Sequence, residues 1–149
     1  MPSETAEDAS YECPVCGARL TVEPPLPPHE APCPVCAYPL WCRKRTVDDV
    51  VVLDVMRGRT PEHAEMQQVA EKLLGSKAPL RVVVDLSDLD FISSALMARL
   101  VALNKRIRAA DGRFILCGMQ PVVRDAFHDS TLHRVFEIHA DQQASFAAL

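Results

Sequence analysis

Six cysteines and one serine pair are the residues of this chain with chemistry to offer. Four of the cysteines stand as two Cys-Pro-Val-Cys units, Cys13 with Cys16 and Cys33 with Cys36, and 16 residues separate the units. Two residues between thiols let one tight turn aim both sulfurs at a single tetrahedral ion, and a second such turn completes the shell. The spacing is that of a structural zinc ribbon. All four ligands come from the chain, which leaves no open coordination position for catalysis. Gly17 follows the first unit, where such turns favour a positive φ, and Ala37 takes that place after the second. A disulfide pair fits a cytosolic chain poorly, and a redox Cys-x-x-Cys would open a helix, whereas proline-rich sequence surrounds these units. Cys42 reads as a spare thiol and Cys117 as a buried strand residue. The histidines, His29, His63, His128, His133 and His139, are scattered without ligand spacing.

The serines, Ser93 and Ser94, close the stretch VVVDLSDLDFISSALM from Val82 to Met97. It reads as a buried strand, an acidic turn bearing Asp85, Asp88 and Asp90, and the start of a helix. A hydroxyl there lies beside unpaired backbone N–H groups, a setting that tolerates a phosphate. The plainer alternative is that both serines only cap the helix. The acidic turn could hold a cation, but reads more simply as a solvated loop on a partner surface. No nucleophile elbow, phosphate loop or pair of carboxylates on one helix face is present, so the residues point to no enzyme.

These residues belong to two parts. Nine of the 12 prolines fall before residue 40, and the run at 24–28 can be neither helix nor central strand. Residues 1–46 are expected to form the ribbon and a linker, with Arg43-Lys44-Arg45 as a solvated stretch, and residues 47–149 an α/β domain. Asp49 to Met56 reads as a strand, and Thr60-Pro61-Glu62 as the cap and first turn of a helix to Leu74, ended by Gly75. A buried strand from Leu80 to Leu86 follows, then the longest helix, from Ser94 to about Ala110. Its inner stripe is Leu96, Met97, Leu100, Val101, Asn104 and Ile107. Phe114 to Cys117, a helix opened by Pro121, a short strand from Val135 to Ile138 and a helix capped by Asp141 complete an alternating order. That order implies a mixed or parallel sheet flanked by helices.

Composition bounds the function. The chain has 149 residues, 48% of them hydrophobic and 24% charged, with a net charge of −4. There is no run of ~18 apolar residues to cross a membrane. The polar, acidic N-terminus lacks the apolar core of a secretory signal, so a cytoplasmic protein is expected. Both parts are mildly acidic, which argues against a nucleic-acid face.

From Asp85 onward the chain resembles the STAS domain of sulfate transporters and anti-sigma factor antagonists. The resemblance covers about residues 47–149. It rests on Asp85-Leu86-Ser87, on Phe91-Ile92-Ser93-Ser94-Ala95, and on a tail marked by Cys117, Pro121, Phe127, Leu132, Val135 and Phe136. It implies a partner-switching regulator: an anti-sigma kinase phosphorylates a serine at this helix start, the unphosphorylated antagonist binds that kinase and frees a sigma factor, and a phosphatase resets it. Phosphorylated members commonly read Asp-Ser-Ser-Gly-Leu or Asp-Ser-Thr-Gly-Leu. The ungapped alignment sets Ser93 on the aspartate, Ser94 on the first hydroxyl residue, Ala95 on the second, Leu96 on the glycine and Met97 on the leucine. Ser94 is then the serine left at a family phosphosite, ahead of Ser93. Leu96 is expected to put a side chain where a partner could approach the backbone. Asp85, Asp88, Asp90, Ser93, Ser94, Ala95 and Arg99 form the expected partner face. Two alternatives stay open: a STAS scaffold that binds protein without phosphorylation, and a nucleic-acid-reading ribbon regulated by the STAS domain.

Overall fold

The computed structural model describes residues 11–20, 32–75 and 80–149. The proline run at 24–28 and His29 lie outside these. Five strands form one sheet in sequence order: β1 (Cys42–Val47), β2 (Val50–Val55), β3 (Arg81–Asp85), β4 (Arg113–Cys117) and β5 (Glu137–His139). β1 and β2 are an antiparallel hairpin turned at Asp48 and Asp49, both at positive φ, as a two-residue hairpin turn of matching twist requires. The remaining pairs are parallel, so each connection is a crossover carrying a helix. The helices are α1 (His63–Leu74), α2 (Ser94–Ala109), α3 (Pro121–Asp129) and α4 (Gln142–Ala148).

The period-2 alternation of Val- and Leu-rich strands divides their side chains between two covered faces. Leu53, Val55, Val82, Val84, Phe114 and Leu116 face Met66, Val69 and Leu73 of α1, Leu100, Leu103 and Ile107 of α2, and Val123 and Phe127 of α3. Val50, Val52, Val83, Ile115 and Cys117 face the other way, with Phe146 of α4 and Leu149 packed on them. α2 ends where the chain turns at Asp111, and Gly112 passes so close that a Cβ there would lie 2.7 Å from Ile107 Cγ2 and 2.9 Å from the Leu80 carbonyl oxygen.

Several sequence expectations need correction. Arg43, Lys44 and Arg45 are not a solvated linker but the middle of β1, paired with Asp54, Leu53 and Val52. The boundary at residue 46 therefore falls inside the sheet's first strand. Charges along an outer strand guard it against edge-to-edge pairing, and they hide the apolar alternation that would have marked it. α1 starts at His63 with Glu62 as N-cap, in a reciprocal capping box with Glu65, rather than at Thr60-Pro61. The last strand begins at Glu137, because Leu132 to Arg134 form a 3-10 turn and leave Val135 exposed. In α2, Leu103 replaces Val101 on the fully buried stripe.

The cysteine units are joined to this core. Cys13, Cys33, Tyr38, Leu40, Trp41 and Cys42 are all buried in the same apolar cluster as α1 and the sheet. Glu12 and Lys44 exchange both backbone hydrogen bonds, at 2.7 and 2.9 Å, so the chain before the first unit pairs with the outer edge of β1.

Candidate functional site

The two cysteine turns are built alike. In the first, the Gly17 N–H donates to the Cys13 carbonyl at 3.0 Å and the Cys13 N–H to the Ala18 carbonyl at 2.9 Å. In the second, the Ala37 N–H donates to the Cys33 carbonyl and the Cys33 N–H to the Tyr38 carbonyl, both at 2.9 Å. Gly17 and Ala37 both sit at positive φ, 78° and 64°, so Ala37 carries the strain that Gly17 avoids. The turns place Cys13 Sγ 3.8 Å from Cys36 Sγ and Cys16 Sγ 3.7 Å from Cys33 Sγ, with all four sulfurs within 4.8 Å of one another. Metal–thiolate bonds of ~2.3 Å give a tetrahedron an edge of about 3.8 Å, so the sulfurs fit a four-coordinate ion.

Backbone N–H groups of Val15, Ala18 and Val35 point at the Cys13, Cys16 and Cys33 sulfurs at 3.4 Å, a pattern that favours thiolates. The Cys33 thiol falls to about 7: burial opposes its ionisation, but the N–H groups of Cys36 and Val35 outweigh it. Burial pushes Cys13 up to about 12. A bound cation would ionise all four thiols outright. These cysteines are the one group of three or more His, Cys, Asp or Glu among the described residues that could hold a metal ion. Cys42 and Cys117 are buried in β1 and β4 and are not among the four converging thiols.

The second site lies at the carboxyl ends of β2, β3 and β4, where open α/β sheets place their functional loops. Three loops interlock there. The Arg57 N–H donates to Asp88 Oδ2 at 3.0 Å, and its guanidinium lies 3.7 Å from Asp88 and 3.9 Å from Asp90. Gln120 donates to the Ser87 carbonyl at 3.0 Å. Asp85 accepts from the Ser87 N–H at 2.7 Å and from Gln142 of α4. Gly118, at φ 75°, passes so close to Asp85 that a Cβ would meet its Oδ1 at 2.8 Å. The acidic turn is exposed at Ser87, Asp88 and Asp90 and is also tied to partners on other elements.

The two serines divide their work. Ser93 is the N-cap of α2: its Oγ accepts from the Leu96 N–H at 3.1 Å and lies 3.4 Å from Thr60 Oγ1. Ser94, the first helical residue, is exposed, and its hydroxyl has no partner among the described residues. Ala95 is exposed beside it. Leu96 does not obstruct the backbone as expected. It is buried at 6% exposure, because position 96 belongs to the stripe of α2 that faces the core. Arg99 donates to the Pro61 carbonyl at 3.1 Å, bracing the loop before α1.

Sequence reasoning missed Phe91, which is 67% exposed in the turn just before the serines, and Val122, exposed at the start of α3. The signal was available for Phe91: Leu89, Phe91 and Ile92 crowd one short turn, and only Leu89 and Ile92 find room in the core. Tyr11 was missed too. Its ring carries the Arg43 guanidinium 4.1 Å above it, and it lines a cavity of about 310 Å³ with Arg43, Asp54, Asp85, Ser87 and Asp88. That juxtaposition joins the cysteine segment to the acidic turn.

The architecture is a five-stranded mixed sheet whose central strand is followed by a serine-capped helix. The chain belongs to the STAS domain family, which it matches over residues 44–144. It is 32% identical over 94 residues to BtrV of Bordetella bronchiseptica, a candidate anti-sigma factor antagonist, spanning 63% of this chain and 78% of that protein. The structure resembles an anti-sigma factor antagonist STAS domain protein from Planctomyces limnophilus, with TM-score 0.59, 25% identity, and 72% and 96% of the two chains covered. It also resembles a candidate anti-sigma factor antagonist from Thermotoga maritima, with TM-score 0.63, 23% identity, and 70% and 91% covered. The cysteine units precede the matched residues.

Proposed function

We propose that the chain is an anti-sigma factor antagonist that works by partner switching, with Ser94 as the phosphoacceptor and the β3–α2 turn as the docking face. The observation that supports this best is the division of labour between the serines. Ser93 is committed to the cap, while Ser94 offers a free hydroxyl on the surface beside exposed Phe91. A phosphate on Ser94 adds about −1.5 to −2 charges at the positive end of α2, just after the acidic turn in sequence. It would repel an acidic partner surface and change the apolar contact around Phe91. The partners would be an anti-sigma factor with serine kinase activity and a phosphatase, in the cytoplasm. The cysteine units would form a structural zinc ribbon, since four thiolates in a closed tetrahedron suit zinc.

Affinity capture from native lysate with wild type, Ser94→Ala and Ser94→Asp tests the switch. A kinase held by wild type and Ser94→Ala but shed by Ser94→Asp is the expected result. Identical partners on all three refute the switch and leave a constitutive scaffold.

A further inference from the structure

We infer that metal loading of the four-cysteine centre sets the conformation of the Ser94 turn, so that the ribbon is a regulatory input to the partner face. That this turn is the partner face rests on the function proposed above; the coupling itself does not.

Two routes run from the cysteines to the turn, one through a shared cavity and one through a chain of hydrogen bonds. On the first, Glu12, adjacent to Cys13, is paired with Lys44, and Tyr11 before it stacks on Arg43. Tyr11 and Arg43 line the same cavity as Asp85, Ser87 and Asp88. On the second route, the Cys33 N–H is bonded to the Tyr38 carbonyl, and the Tyr38 hydroxyl donates to the Glu65 carbonyl at 2.7 Å while accepting from buried Trp41 at 2.9 Å. Glu65 in turn holds Arg59 through both carboxylate oxygens and accepts from the Glu62 N–H at 2.9 Å. The loop so anchored touches the serine turn at two places, Arg57 to Asp88 and Thr60 to Ser93, and α2 at a third, Pro61 to Arg99.

Each turn's geometry depends on its sulfurs converging. A metal ion ties the two turns to each other and so fixes Tyr11 and Tyr38 at once; without it, among the described residues the turns keep the thiol contacts and the shared apolar cluster but lose the bonds that hold the four sulfurs together. Both ends of the brace then loosen, while the strands, held by their own ladders, do not. The apolar cluster shared by the cysteines and α1 makes this coupling direct rather than a tether between separate beads.

Hydrogen exchange read by mass spectrometry tests the inference without any partner. Three samples are compared: metal-loaded chain, chain stripped by chelator under reducing conditions, and metal-loaded Tyr38→Phe. The reporters are the amides of Arg57, Ser87, Leu89 and Leu96, each hydrogen-bonded within the interlocked loops, and that of Met56, which donates to the Trp41 carbonyl. Stripping is expected to speed their exchange by about tenfold, the size of an ordinary coupling between sites, and to leave the amides of β3 and β4 protected. Tyr38→Phe, with metal still bound, is expected to speed Met56 and Arg57 alone. Faster exchange confined to 11–41, loss of protection throughout the sheet, or a Tyr38→Phe variant identical to wild type would each overturn the inference. None of these outcomes bears on whether Ser94 variants change partners, so the two readings fail separately.

Discussion

Replacing Ser93 by alanine removes the one side-chain acceptor at the start of α2. The Leu96 N–H, which donates to Ser93 Oγ at 3.1 Å, has no intrahelical acceptor of its own, and the 3.4 Å contact with Thr60 is lost too. Loss of an N-cap serine costs about 1 kcal/mol, within a range of about 0.5–2. For a domain of this size that lowers the melting temperature by about 2–4 °C. Ser94→Ala should do nothing comparable: an exposed hydroxyl without a partner gives way to a good helix former, and the change stays within about 0.5 kcal/mol. Urea titration of metal-loaded wild type, Ser93→Ala, Ser94→Ala and Ser93→Asp measures the difference. Ser93→Asp should keep full stability, because aspartate caps as well as serine and its charge suits the helix end. The family's aspartate at this place and the serine here would then serve the same structural purpose. A Ser94→Ala variant as destabilised as Ser93→Ala, or a Ser93→Ala variant indistinguishable from wild type, would refute this assignment of roles.

Three other outcomes follow from the structure. Elemental analysis of wild type should find one equivalent of zinc; Cys16→Ser, which removes an exposed thiol of the four-cysteine group, should keep its sheet by circular dichroism but lose that zinc. Gly112→Ala forces a Cβ against Ile107 and the Leu80 carbonyl and should destabilise the chain by about 1–3 kcal/mol, read from its urea midpoint. Burial opposes ionisation of Glu65, yet the Glu62 N–H and the Arg59 guanidinium hold its carboxyl below the usual range. A depressed folded value stabilises the chain above the unfolded pKa of about 4.3, and this is lost as pH falls through the folded value. Glu65→Gln should therefore be weaker than wild type at neutral pH, and the gap should narrow as pH falls through the folded value; a gap unchanged by pH would contradict the assignment.

Most elements could be read from the chain because local signals and tertiary packing agree in them. Val and Leu runs became β2 and β3, Gly75 closed α1, Pro121 opened α3, and Asp141 capped α4. β1 could not be read, since an outer strand carrying Arg43, Lys44 and Arg45 shows composition rather than alternation. The start of α1 was misplaced because a Thr-Pro-Glu cap and a Glu62–Glu65 box compete over three residues, and only the contact of Pro61 with Arg99 decides between them. The cysteine spacing carried its own geometry, so the cluster was fully legible. How that cluster meets the rest of the chain was not. The Tyr38–Glu65, Arg57–Asp88 and Tyr11–Arg43 contacts join residues whose sequence separation ranges from 27 to 32, and nothing in local pattern announces them.

The central claim is that Ser94, and not Ser93, is the residue that switches. Wild type, Ser93→Ala and Ser94→Ala, each incubated with ATP and native lysate, can be mapped for phosphate by tandem mass spectrometry. The account predicts phosphate on Ser94 in wild type and Ser93→Ala, and none on this turn in Ser94→Ala. Phosphate on Ser93, or a turn left unmodified in all three while a kinase partner is bound, would contradict it.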